Sequence, residues 1–276
     1  MLAPALPAAA CTLQWAADAG PLASRWHETG AQGETLVRER GSLQAAALAL
    51  QGQDCAWRWA GPWSATLSAA RGGRDYDGQT SSGQALQTRS DLQHTGLVLQ
   101  ALPWGDEHWR LGARLRWQRV ARDIRSTAAA AGYPERFDTA QAALVGRLSG
   151  SLDGSLDRSS ATAPAPPLQA AQWELQLALG GGPGGRLRLQ LPGLDPATLR
   201  LGSSRLLQFE ARLHGPLAPA WRWQLALQAG SERAAAGPLQ ALTRNGQIVG
   251  AAQQPATRQS VLGIAIGLAW QPGTQR

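Results

Sequence analysis

Apolar and polar residues alternate along almost the whole chain, and helical periodicity is nearly absent. A period of two places successive side chains on opposite faces of an extended strand. In WRLGARLRWQ, Trp109, Leu111, Ala113, Leu115 and Trp117 share one face, while Arg110, Gly112, Arg114, Arg116 and Gln118 share the other. The pattern recurs at Trp57 to Ala69, Trp173 to Leu179, Leu207 to His214, Trp221 to Ala229 and Leu262 to Trp270. No segment requires a helix, so the chain must satisfy its backbone polar groups in β-sheet.

The alternation predicts about ten strands, near 12–29, 35–51, 56–70, 85–102, 108–124, 137–152, 171–180, 203–214, 220–233 and 257–270. The connections differ in length. Gln51 to Cys55, Pro103 to Glu107 and Gly215 to Ala220 are short. Arg71 to Gln84, Ser126 to Arg136, Gly181 to Gly202 and Ala234 to Ala256 are long and rich in Gly, Pro and polar residues. Short turns at one end and long loops at the other are the layout of a membrane barrel. Asp153 to Gln169 breaks the rule, because its SSATAPAPPLQ run reads as a linker. Gly193 to Gly202 has room for one helical turn inside a loop.

A soluble β-sandwich also alternates, but three features favour a barrel. From Trp109 to Trp117 a strand tilted by about 40° rises roughly 20 Å, close to the apolar band between aromatic girdles. The strands outrun the five or six residues usual in soluble sheets. The polar-side positions of the last strand are Gly263, Ala265, Gly267 and Ala269, small enough for the concave inside of a narrow barrel. That strand closes on Trp270 before a short polar tail, and so resembles the C-terminal strand of bacterial outer-membrane β-barrels. The resemblance covers the chain as a pattern of strands. It implies an all-β fold, a transmembrane antiparallel up-and-down β-barrel, porin-like, in the outer membrane of a Gram-negative bacterium. Lipid, lipopolysaccharide and the barrel-assembly machinery are its implied partners, and the barrel is expected to be a monomer.

Composition agrees. Charged residues make up only 16% of the chain, and twelve Trp stand against two Tyr and two Phe; Trp favours membrane–water interfaces. All 26 basic residues are Arg, and the net charge is +7. The arginines are scattered and no nucleic-acid motif accompanies them, so nucleic acid is not an expected partner. No apolar run of roughly 18 residues offers a transmembrane helix. Residues 1–11 read as the remnant of a signal peptide, and 12–276 as one barrel domain. Cys11 and Cys55 read either as one disulfide or as two small hydrophobes.

Trp57, Trp109, Trp117, Trp173, Trp221 and Trp270 are the expected membrane-interface aromatics. Arg58, Arg110, Arg114, Arg116, Arg147, Glu174, Glu210, Arg212 and Arg222 are expected to form a polar network in the lumen. That network is either a salt-bridged plug or a cationic constriction selecting anions. Ten-stranded barrels include omptin proteases, which use Asp and His at the outer rim, and barrel lipases use a Ser–His pair. The four histidines, His27, His94, His108 and His214, form no such pair by spacing. Asp91 and His94, three residues apart, point to opposite faces of one strand, and His108 and His214 lie beside short turns. Asp75 and Asp77 echo the start of a calcium loop without its later ligands. GGGPGG at Gly180 to Gly185 reads as a flexible loop, and GYPERFD at Gly132 to Asp138 as an interfacial anchor. The function expected is non-enzymatic: a narrow channel, or an envelope structural or surface-interaction protein. The alternatives are an outer-membrane hydrolase and a soluble sandwich binding protein. No cofactor or metal is expected.

Overall fold

The computed structural model describes residues 11–53, 61–79, 83–128, 130–152 and 171–272. Ten long strands carry the architecture: β1 (Thr12–Thr29), β2 (Thr35–Gln53), β3 (Trp63–Gln79), β4 (Ala85–Gly105), β5 (Trp109–Ile124), β6 (Tyr133–Ser151), β7 (Gln172–Gly182), β10 (Ser204–Ala218), β11 (Trp221–Ala234) and β14 (Ala256–Trp270). Each pairs antiparallel with its neighbours, and the β1–β14 and β5–β6 pairings close the sheet into a ring. Closure leaves no free edge and excludes the two-sheet sandwich. Four shorter strands bring the total above ten: β8 (Gly185–Leu189), β9 (Ala197–Arg200), β12 (Gln240–Arg244) and β13 (Gln247–Ala252).

The ring has a defined stagger. Following directly opposed residues from Trp15 leads through Leu50, Ala65, Leu99, Leu115, Ala142, Gly181, Arg205, Arg233 and Arg258 back to β1 at His27. His27 is twelve residues beyond Trp15, so the strands must tilt strongly against the barrel axis. The outer wall is apolar between the ends, with Leu144 73% and Ile266 70% exposed. The inner wall carries the polar face.

Several positions explain why this sequence closes so narrowly. A Cβ on Gly263 would meet Leu22 at 2.8 Å, and one on Gly267 would meet Asp18 at 2.7 Å and Gln224 at 2.8 Å, so the small residues of β14 do make room for inward side chains. Outside, Trp63, Trp173 and Trp223 each lie across the glycine directly opposite, Gly52, Gly150 and Gly215. Such aromatic cover compensates the missing glycine side chain and pins register.

The strand boundaries differ most from expectation at β3; β6 also starts at Tyr133 and not at 137, and β10 runs on to Ala218 and not only to 214. β3 runs over 63–79, not 56–70, so RGGRDYDGQ is strand and not loop. Gly72, Arg74, Tyr76 and Gly78 point inward, while Asp75 and Asp77 lie on the outer wall and make no calcium loop. Among the described residues no group of three His, Cys, Asp or Glu could hold a metal. Gly180–Gly182 belong to β7, and the chain turns at Gly184 (φ +114°) straight into β8, so GGGPGG is a structured turn. Gly193 to Gly202 holds β9 in place of a helical turn. Trp57, Arg58, Cys55, residues 1–10 and the whole 153–169 linker lie outside the described residues. Cys11 is disulfide-bonded.

Strands β8 and β9 form a hairpin that extends the wall above β7, with β8 pairing along β6 at Glu135 to Thr139. Leu187, Leu189 and Leu199 pack with Phe137 and reach Trp26 and Ala252 across the mouth. The β12–β13 hairpin turns at Asn245 (φ 52°) and Gly246 (φ 77°), both left-handed as a two-residue hairpin turn requires. It is tied to the loop before β9: Asn245 and Gly246 N–H donate to Asp195, and Arg244 donates to the Gly193 carbonyl at 2.8 Å.

Candidate functional site

The loop-end half of the lumen is filled by a charged cluster that residue spacing alone did not suggest. Arg122 on β5 lies 2.8 Å from Glu135 on β6, 3.1 Å from Glu28 on β1 and 3.7 Å from Glu39 on β2. Its Nε and Glu135 Oε2 face each other as charges, off the N–H axis. Arg74 on β3 is 3.3 Å from Glu39 and donates to Ser24 at 2.6 Å, while Ser90 donates to Glu39 at 2.9 Å. Trp26 donates to Glu28 at 2.8 Å and packs on Phe137 from the other side of the ring, with centroids 5.6 Å apart. Both guanidinium groups lie within 6 Å of the Trp26 ring, where its face attracts a cation. Arg122 is 3% and Glu39 0% exposed. Glu135 and Phe137 are therefore lumen residues, which corrects the reading of GYPERFD as an interfacial anchor.

Two further layers lie toward the short turns. In the first, Arg116 is 3.6 Å from Glu232, hydrogen-bonds Gln118, and donates to Gln141 at 3.3 Å. In the second, Arg114 donates twice to Gln100 and once, at 2.8 Å, to Gln208 across the lumen. Gln100 in turn reaches Gln176 at 3.0 Å. Arg212 pairs with Glu210 at 2.6 Å, Glu174 lies 3.9 Å from Arg147 and 3.7 Å from His214, and Arg222 bonds His214 and Gln172. Arg110 faces inward near the turn end. A cavity of about 110 Å³ remains between Asp18, Arg114, Arg147 and Arg212.

The expected lumen residues within the described segments thus share the inner wall, but the partners differ from the simplest pairing. Arg114 meets glutamines, and Arg116 meets Glu232; neither meets Glu174 or Glu210. The lumen is also not strongly cationic. On the ring strands Arg74, Arg110, Arg114, Arg116, Arg122, Arg147, Arg212 and Arg222 point inward against Asp18, Glu28, Glu39, Glu135, Glu174, Glu210 and Glu232, eight arginines against seven carboxylates.

The aromatics are asymmetric. Trp15, Trp63, Trp104, Trp109, Trp173, Trp221, Trp223 and Trp270 lie on the outer wall near the turn end, with Trp15, Trp270 and Trp221 directly opposed. Trp117 sits eight residues up β5 from Trp109, beside Arg119. No histidine sits with a carboxylate in the loop-end lumen among the described residues. His27 is on the outer wall bonded to Thr35, His94 faces the lumen, His108 is in an exposed turn beside Glu107, and His214 is deep toward the turns.

No protein-family model and no curated protein matches this chain. Solved structures do. The outer-membrane protease OmpT from Escherichia coli superposes with a TM-score of 0.50 at 10% identity, covering 95% of this chain and 97% of its own. The β domain of the Bordetella autotransporter BrkA gives a TM-score of 0.41 at 14% identity over 95% and 100%. The fold is that of Gram-negative outer-membrane β-barrels.

Proposed function

We propose that this chain is a closed, non-catalytic outer-membrane barrel of a Gram-negative bacterium, acting as an envelope structural or surface-interaction protein. Lipid surrounds its outer wall, lipopolysaccharide is its outer-leaflet partner, and the barrel-assembly machinery inserts it as a monomer. The observation that carries the reading is Arg122, whose guanidinium joins glutamates from β1, β2 and β6 across the lumen. A conducting pore needs a continuous water path, and this bridge, with the Trp26–Phe137 contact beside it, interrupts one. The test is single-channel recording in planar bilayers. The purified protein should give no unitary conductance, whereas the Arg74→Ala/Arg122→Ala double variant should give transient openings. Stable conductance steps from the wild-type protein would overturn the closed-barrel reading in favour of a channel.

A further inference from the structure

The outer wall carries a second population of arginines, all toward the loop end. Arg25, Arg38, Arg40, Arg71, Arg89, Arg119, Arg136, Arg205, Arg233 and Arg258 share the parity of the outward apolar residues. Their depth is regular. Ten residues separate Trp15 from Arg25 on β1, Trp109 from Arg119 on β5 and Trp223 from Arg233 on β11. Ten residues of strand tilted by about 40° rise about 25 Å, the height of an outer-membrane apolar band. The far edge of the band is therefore marked by arginine where the near edge is marked by tryptophan.

This belt has two different halves. On β3 to β6 acids are interleaved: Asp75 lies directly between Arg40 and Arg89, Arg119 is 2.6 Å from Asp138, and Asp91 is 2.7 Å from Arg125. On β10, β11, β14, β1 and β2 the described outer wall has no acid at all. There Arg205 is directly opposite Arg233, Arg233 directly opposite Arg258, and Arg25 directly opposite Arg40. Like charges placed directly opposite destabilise a sheet. Arg205, Arg233 and Arg258 are exposed, and the ion pairs among the described residues engage other arginines.

We infer that the Arg205–Arg233–Arg258 ladder, flanked by Arg25, is a binding site for the phosphate groups of an anionic outer-leaflet lipid headgroup. The ladder stands just beyond Leu207, Ala229 and Leu262, at the depth where phosphates meet the hydrocarbon edge. Arginine forks bind phosphate oxygens in pairs of hydrogen bonds. Three adjacent strands span about 10 Å, so the ladder suits a headgroup carrying two phosphates about that far apart. The site rests on the membrane-barrel reading above.

The test uses the folded full chain in detergent micelles with bisphosphorylated lipid A, a monophosphorylated analogue, phosphatidylcholine and inorganic pyrophosphate. Native mass spectrometry reads lipid retention, and heat-modifiable gel migration reads the barrel. Bisphosphorylated lipid A should be retained best, should raise the temperature of the gel transition, and should lose at least about tenfold in retention in the Arg205→Gln/Arg233→Gln/Arg258→Gln variant. An Arg71→Gln/Arg89→Gln/Arg136→Gln control on the acid-interleaved wall should keep it. Equal retention by the ladder variant, or equal competition by pyrophosphate, overturns the lipid site while heat-modifiable migration leaves the barrel standing. Absence of that migration in the wild type would overturn the barrel reading and the site with it.

Discussion

The loop-end cluster makes an asymmetric prediction about charge. Glu28, Glu39 and Glu135 face Arg74 and Arg122, three carboxylates against two guanidinium groups. Arg122→Gln leaves three against one. Glu135→Gln leaves two against two. Each contact at 3 to 4 Å is about 4 kcal/mol of attraction at an effective dielectric near 20, so Arg122 holds three such interactions. After relaxation and water entry, removing one partner of a buried pair costs about 3–5 kcal/mol, and Arg122→Gln belongs at the upper end of that range. Glu135→Gln loses one attraction but also removes the repulsion from Glu28 and Glu39, so its cost should be within about 1 kcal/mol of zero. The double variant Arg122→Gln/Glu135→Gln returns to an excess of one carboxylate, and should recover part of the Arg122→Gln loss. Urea unfolding from lipid vesicles, followed by tryptophan fluorescence and heat-modifiable migration, measures all three. If Glu135→Gln costs as much as Arg122→Gln, charge balance does not hold this cluster together and the reasoning fails.

Depth on the outer wall should matter in the same assay. Leu144→Arg, in the middle of the apolar band, should cost about 2–4 kcal/mol, and Ser231→Arg, at its far edge, no more than about 1; equal costs would misplace the band. Gly263→Val pushes a branched side chain against Leu22 and Gln228 and should cost about 1–3 kcal/mol by overpacking, read as a lowered urea midpoint. In the loops, the Gly246 N–H, the Thr243 side chain and the Asn245 N–H hold the Asp195 carboxyl below its ordinary range. A depressed folded value stabilises above the unfolded value of about 3.9 and is lost as pH falls through the folded one. Protection of the Asn245 and Gly246 amides, measured against intrinsic exchange at each pH, should accordingly fall below about pH 4, and Asp195→Asn should show that lower protection already at neutral pH.

Strand positions were legible because they depend on a local pattern. Nine of the ten ring strands fall where alternation puts them, and the small inward residues of β14 serve the purpose their size implies. The exception, β3, shows the limit. Gly72, Gly73 and the Asp-x-Asp-Gly run carry the chemistry of a turn, yet their alternation continues unbroken through Arg74 and Tyr76. Pairing on both sides, with β2 and β4, overrides turn propensity here. The short strands β8, β9, β12 and β13 were hidden inside segments whose Gly and Pro content reads as loop.

The partners inside the lumen were not legible, and the reason is geometric. Which inward residue meets which across the ring depends on stagger, a property of ten registers together and of no single strand. Arg122 shares parity with Arg114 and Arg116, so its inward direction could be read from β5 alone, but its glutamates come from β1, β2 and β6.

Parity also separates what composition merges. The expected lumen set held seven arginines against two glutamates, and so suggested a cationic lumen. Arg119 follows Trp117 on the same face as Leu111 and Leu115, and Arg205, Arg233 and Arg258 likewise share the face of their outward neighbours Leu207, Ala229 and Leu262. On the ring strands ten arginines face outward against Asp75, Asp77, Asp91, Asp123 and Asp138, whereas the inward set nearly balances. The positive charge of this chain therefore sits mostly on its outer wall beyond the apolar band, where anionic headgroups can meet it, whereas most interior arginines among the described residues pair with glutamate or glutamine.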